Sequence, residues 1–151
     1  MTFASAYFGA VDVQESSVIE FAGGLPGFEE CRRFLALESP QQGGLVYLQN
    51  LERPDLCFLA LPVRALRADY ELLLTAEDLA ALELPPDRQP AIGTEVAALA
   101  LLSVTEGEDP NANLRSPIII HIGSRRAVQA IRPDERYGWR EPLLAGEAVC
   151  W

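Results

Sequence analysis

The stretch from Asn113 to Ile131 reads Asn-Leu-Arg-Ser-Pro-Ile-Ile-Ile-His-Ile-Gly-Ser-Arg-Arg-Ala-Val-Gln-Ala-Ile. The β-branched run Ile118-Ile119-Ile120 suits a pleated, packed surface. Gly123-Ser124, between two apolar runs, is a two-residue hairpin signal. Pro117 has no amide donor, so it is expected to open the strand and not to sit inside a central one. Alternation sets Ile118, Ile120 and Ile122 on one face and Ile119 and His121 on the other. Both faces are then bulky and apolar, whereas a strand wetted on one side alternates with polar residues. A second layer must cover the other face, and either a helix near Ala76–Leu82 or a partner protein can supply it.

Working outward, Leu45-Val46-Tyr47-Leu48-Gln49 and Leu56 to Leu61 form a second hairpin about the turn Glu52-Arg53-Pro54-Asp55. Leu56 to Leu61 is again apolar on both faces, with Cys57 as a small core residue. Pro62 ends that strand, a connector runs from Val63 to Ala68, and Asp69 to Leu74 reads as another strand. Thr75 caps a short helix over Ala76 to Leu82, with Asp78 at the third helical position and Leu79 and Leu82 inward. Pro85-Pro86 stops it. Glu95 to Val104 is rich in Ala and Leu, which favours helix. Its length and its place between loops favour a buried strand, the reading preferred here.

Toward the N-terminus, Tyr7 to Val13 reads as a hairpin about Gly9-Ala10, and Val18 to Phe21 as a strand. Gly23-Gly24-Leu25-Pro26-Gly27 demands a sharp bend, from which Phe28 plugs the nearby core. Glu29 to Arg33 reads as one helical turn with Cys31 and Phe34 inward, ahead of a strand over Phe34 to Leu37. Gln41-Gln42-Gly43-Gly44 is a turn. Near the C-terminus, Pro133-Asp134 is a turn, followed by Tyr137, Trp139 and Trp151 among charges. Many short strands with close turn signals and one capped helix predict an all-β fold. It would be a small β-barrel-like or sandwich domain over 1–143, with one or two short helices and a tail over 144–151.

The 151 residues are 49% hydrophobic, with a mean hydropathy near zero, as in soluble globular chains. No secretory leader or membrane-length apolar run is visible, so a cytoplasmic location is expected. The net charge is −10, and all 12 basic residues are arginine. Residues 1–120 carry 18 acids against 7 arginines, a net of −11, and residues 121–151 carry 4 acids against 5 arginines, or +1. Such a chain repels nucleic-acid phosphates and attracts basic proteins. Cys31, Cys57 and Cys150 have no metal-ligand spacing and are expected to be free thiols.

Enzyme signatures are thin. His121, the single histidine, lies between isoleucines with no nucleophile or orienting partner on its strand face, which favours a structural role over a general base. The Gly23–Gly27 loop lacks the Lys-Ser/Thr of a phosphate loop. The paired acids Glu29-Glu30, Glu77-Asp78 and Glu108-Asp109 suit solvated loops and helix starts. No cofactor or metal is expected. Candidate partner contacts are the turn at Glu52 and Asp55, the edge Asp69-Tyr70-Glu71, and Asn113-Leu114-Arg115. Their alternative roles are structural, with Asp55 and Asn113 stabilising turns and Tyr70 packing.

Four segments in order resemble the flagellar assembly factor FliW family. They are Tyr7-Phe8-Gly9 with Ile19-Glu20-Phe21; Gly24-Leu25-Pro26-Gly27-Phe28-Glu29; Pro54-Asp55-Leu56-Cys57-Phe58 with Asp69-Tyr70-Glu71-Leu72; and Asn113-Leu114-Arg115-Ser116-Pro117-Ile118-Ile119-Ile120. The resemblance implies a barrel-like, non-enzymatic protein. In this family the protein binds flagellin and antagonises CsrA, an RNA-binding translational regulator, so that flagellin export relieves repression of flagellin translation. A flagellin chaperone alone, a barrel that carries a small ligand on His121, and a nucleic-acid-binding barrel are the competing expectations; the charge opposes the last.

Overall fold

The structure, a computed structural model, describes residues 2–6, 8–21, 23–25, 27–38 and 44–143. Its strands are β1 (Thr2–Ser5), β2 (Gly9–Asp12), β3 (Val18–Phe21), β4 (Arg33–Glu38), β5 (Val46–Asn50), β6 (Cys57–Pro62), β7 (Val96–Ser103), β8 (Asn111–His121), β9 (Arg126–Gln129) and β10 (Glu141–Pro142). Two short helices, α1 (Val63–Leu66) and α2 (Ala76–Ala81), lie between β6 and β7. Strands β8, β7, β6, β5, β4, β3 and β9 are neighbours in that order, and β9 returns to β8. This closes a seven-stranded barrel and excludes the sandwich. All its pairings are antiparallel except β3 with β9, where Glu20 lies opposite Arg126 and Phe21 opposite Ala127. Closure removes the unpaired edges that an open sheet would expose.

Alternation sorts each strand's side chains between three apolar clusters. Ile19, Phe21, Phe34, Leu48, Ala60, Leu99, Ile118, Ile120 and Ala127 come from all seven barrel strands and pack together, so they fill the interior. Phe28 packs against this cluster, edge-on to Phe58 at 5.6 Å between ring centroids, as the sharp bend before it predicts. Gly24 makes the bend possible at φ +68°, where a Cβ would come within 2.5 Å of the Glu29 backbone. Cys31 and Phe34 point inward as expected, but there is no helical turn: Glu29 and Glu30 lie in a turn and Arg33 already begins β4.

The outer face of β6 to β8 is the second apolar surface foreseen in the sequence. Ile119, Leu61, Val96 and Ala98 pack there under Val63 and Leu66 of α1, Leu79 and Leu82 at α2, and Tyr70, Leu74 and Tyr137. Helix α2 therefore covers Ile119 only as part of a larger layer. Thr75 caps it, its hydroxyl accepting from the Asp78 amide at 3.1 Å. A third cluster seats the β1–β2 hairpin, through Phe3 and Val11, on Val18 and Leu35.

Several expectations are corrected. The segment expected as a plain connector, Val63 to Ala68, contains α1. Asp69 to Leu74 is not a strand; the Leu74 amide donates to Gln89 Oε1 at 2.7 Å and Gln89 Nε2 donates to the Leu74 carbonyl at 3.1 Å, so a side chain replaces the ladder. The N-terminal hairpin turns before Gly9, which begins β2 and pairs with Ser5. The β8–β9 turn spans more than Gly123-Ser124: the Arg125 amide reaches the His121 carbonyl at 2.8 Å, with Arg125 at φ +62°. Ile122 falls in that turn and is exposed, unlike Ile118 and Ile120. Cys57 is half-buried on the outer face, not in the core. Glu95 to Val104 forms β7, as preferred. The expected turn at Gln41-Gln42-Gly43 and the tail with Cys150 and Trp151 lie outside the described residues.

Pro117 is the most informative correction, because it sits inside β8, a central strand. Leu99 pairs with Ile118 but Leu101 pairs with Asn113, so the register jumps across a wide bulge that holds Leu114 to Pro117. Within a bulge the ladder asks for no amide from Pro117, and the usual objection to a central proline lapses. The Asn113 side chain fixes the bulge by accepting the Ser116 amide at 2.9 Å.

Candidate functional site

The bulge brings two of the three predicted segments together. Beyond it β8 pairs with β9, while before it Ala112 pairs with Glu141 of β10. The Gly138 carbonyl accepts the amides of Leu114 at 3.0 Å and Arg115 at 3.2 Å, and the Arg132 amide donates to the Arg115 carbonyl at 3.0 Å. Tyr70 is fully buried, and its hydroxyl donates to the Leu114 carbonyl at 2.6 Å. Tyr137 stacks on Tyr70 at 4.4 Å between centroids.

Arg132, only 3% exposed, stands over both tyrosine rings. It grips the Asp134 carboxylate through Nε at 2.8 Å and Nη2 at 3.1 Å, and its Nη1 donates to the Glu71 carbonyl. Burial pushes the Tyr70 phenol up from its ordinary value. Burial alone would lower the Arg132 guanidinium, but its bonds to Asp134 and Tyr70 outweigh that and raise it. The Arg132 fork holds the Asp134 carboxyl below the usual range.

The predicted residues therefore divide. Tyr70 and Leu114 are fully buried and offer no surface to a partner. Asp69 and Glu71 flank Tyr70 and are exposed, with Glu71 Oε1 3.5 Å from Arg136. Asn113 and Arg115 are half-buried. The Glu52–Asp55 turn lies elsewhere, beside β1, where the Ala6 amide donates to the Pro54 carbonyl at 3.0 Å. Glu52 is exposed, yet its Oε1 accepts the Arg32 and Arg33 amides at 2.7 and 3.0 Å, pinning the start of β4. Asp55 is exposed beside Arg53.

Sequence reading missed Arg132 and Gly138, which carried no signal of burial or bonding. Trp139 was visible as an aromatic among charges, but not its contact with Arg115, 4.8 Å from its ring centroid.

His121 has a structural environment. Its Nδ1 lies 2.8 Å from the Leu82 carbonyl and 2.9 Å from the Ser124 hydroxyl. A carbonyl only accepts, so Nδ1 carries the proton and has no lone pair for the Ser124 hydroxyl. A Ser–His base pair needs that lone pair. Among the described residues no group of three or more His, Cys, Asp and Glu is placed to hold a metal, and no helix is long and apolar enough to cross a membrane.

Fold and site together define a small closed β-barrel, filled by its own side chains and braced at one end by an arginine–tyrosine stack under a bulged strand. The family model described as FliW protein matches residues 2–143. The flagellar assembly factor FliW of Natranaerobius thermophilus is 33% identical over 146 residues, covering 95% of this chain and 93% of that relative. That of Clostridium tetani is 29% identical over 151 residues, covering 99% and 100%. A solved structure, the crystal structure of the flagellar assembly factor FliW, superposes with a TM-score of 0.81 at 26% identity, covering 95% of this chain and 97% of its own. The chain belongs to the FliW family.

Proposed function

We propose that this protein is a non-enzymatic, monomeric, cytoplasmic flagellar assembly factor that binds flagellin and, when flagellin is exported, binds and antagonises CsrA. Family membership over the whole barrel, residues 2–143, carries the reading. The charge supports it: a chain of net −10 suits a basic RNA-binding partner and repels RNA. Exposed Asp55, Asp69 and Glu71 supply acids for such a contact, with Glu52 beside Asp55 in its turn and Asn113 on the bulge to which Tyr70 is bonded. A barrel interior filled by phenylalanines and aliphatic side chains speaks against a small-ligand carrier.

Calorimetric titration of the purified protein against flagellin and against CsrA tests this. Binding of both is expected, and binding of neither overturns it. Binding of flagellin alone reduces the role to a chaperone. Added salt is expected to weaken the CsrA complex more than the flagellin complex.

A further inference from the structure

Each arginine except Arg115 and the exposed Arg140 has a carbonyl or carboxylate acceptor among the described residues. In a chain with nearly two acids for every arginine, a half-buried guanidinium left without either kind of acceptor requires explanation. Arg115 is half-buried, and its Nε is shut off from water with no hydrogen-bond partner. Its terminal nitrogens are not enclosed in that way. Its backbone is nevertheless fixed, and its guanidinium lies over an aromatic ring. Its amide and its carbonyl are bonded to Gly138 and Arg132, and its guanidinium carbon lies 4.8 Å from the centroid of the Trp139 ring. Stacking uses the face of a guanidinium and leaves its in-plane donors for an anion.

Trp139 is itself 56% exposed, an unusual position for the largest aromatic side chain unless a partner covers it. Arg140 follows in the chain, and the β8–β10 register, Ala112 opposite Glu141, sets it across from Asn113.

We propose that Arg115, backed by Trp139 and with Arg140 beside it, docks a carboxylate of an acidic segment on a partner protein. The bulge holds the Arg115 backbone and the Trp139 ring lies against its guanidinium, so part of the ordering precedes binding. The Trp139 ring then packs against the stem of the bound acid. This site takes ligands of the opposite sign to the acidic surface invoked for CsrA, so it stands or falls independently of that reading.

The test uses the full chain with Trp151→Phe, which leaves Trp139 as the sole indole. A short glutamate-rich peptide, blocked at both ends, is titrated while Trp139 emission is followed, alongside the matching glutamine-rich peptide and inorganic phosphate. The glutamate peptide is expected to shift the emission saturably and the glutamine peptide to leave it unchanged. Arg115→Gln, which keeps most of the stem, is expected to weaken the glutamate peptide at least about tenfold. Arg115→Lys, with charge but no planar fork, is expected to fall between. Arg140→Ala keeps the question open to measurement if Arg115→Gln melts below the assay temperature, and it too is expected to weaken the peptide. Equal response to both peptides, a response to phosphate but to neither peptide, or undiminished binding in the folded Arg115→Gln protein would overturn the proposal.

Discussion

The Tyr70 hydroxyl donates to the Leu114 carbonyl at 2.6 Å, joining the segment after α1 to the bulge of β8 across 44 positions. Both partners are buried, so neither can turn to water instead. Tyr70→Phe keeps the ring stacked on Tyr137 but leaves the carbonyl without this donor. The expected loss is about 1–3 kcal/mol, read as a lower urea midpoint at unchanged slope. Tyr70→Ala adds a cavity and is expected to cost about 3–5 kcal/mol.

The bend before Phe28 separates two adjacent glycines. At Gly23 a Cβ meets nothing within 4 Å, whereas at Gly24, φ +68°, it meets the Glu29 backbone at 2.5 Å. Gly24→Ala therefore combines left-handed strain with a backbone clash. A loss of roughly 2 kcal/mol or more is expected, against a change within about 0.5 kcal/mol for Gly23→Ala. Equal melting temperatures for the two variants would contradict this account of the bend.

Much of this architecture was legible because periodicity reports it locally. The strand at Val18 to Phe21, the alternation of Ile118, Ile119 and Ile120 between two layers, and the Thr75 cap are each written in a few neighbouring residues. Barrel closure was not legible, since it rests on a two-pair parallel contact between β3 and β9, about a hundred residues apart. Asp69 to Leu74 alternates as a strand does, yet its Leu74 bonds go to the Gln89 side chain. Pro117 misled because the rule against central prolines assumes an unbroken ladder, and the bulge breaks it. For the candidate site, Asn113-Leu114-Arg115 was located, but which of the three reaches outward depends on Tyr70 and Gly138, each distant in sequence.

Glu95 stands at the entrance to β7, where its carboxylate takes Arg88 through two bonds of 2.7 Å and the Ala91 amide at 2.9 Å. The Arg88 bonds, then the Ala91 amide, draw its pKa down to about 2. A carboxyl lowered on folding contributes stability above its unfolded value, near 4.3, and loses it as pH falls toward 2. Arg88→Ala is expected to move Glu95 back toward the ordinary range in a carboxyl-carbon NMR titration. The acid-side fall in stability over that window should shrink with it. A Glu95 titration unchanged by the substitution would mean that the clamp does not form in solution.

Arg132 ties the turn at Asp134 to Glu71 beneath the two stacked tyrosines, and it is 3% exposed. Lysine would retain the charge but could not fork onto both Asp134 oxygens while reaching the Glu71 carbonyl. Methionine would fill much of the volume and supply no donor. Leaving the Glu71 carbonyl without its donor is expected to cost about 1–3 kcal/mol, with Arg132→Met below Arg132→Lys in melting temperature and both below the parent. The Asp134 carboxyl, held low chiefly by Arg132, should return upward in Arg132→Met. Because Arg115 hangs from the Arg132 amide and not from its side chain, the Arg115–Trp139 contact should persist in both variants. Unchanged Trp139 emission in the Trp151→Phe background would show that Arg132 braces the fold, whereas a shifted emission would show that it also positions the docking residue.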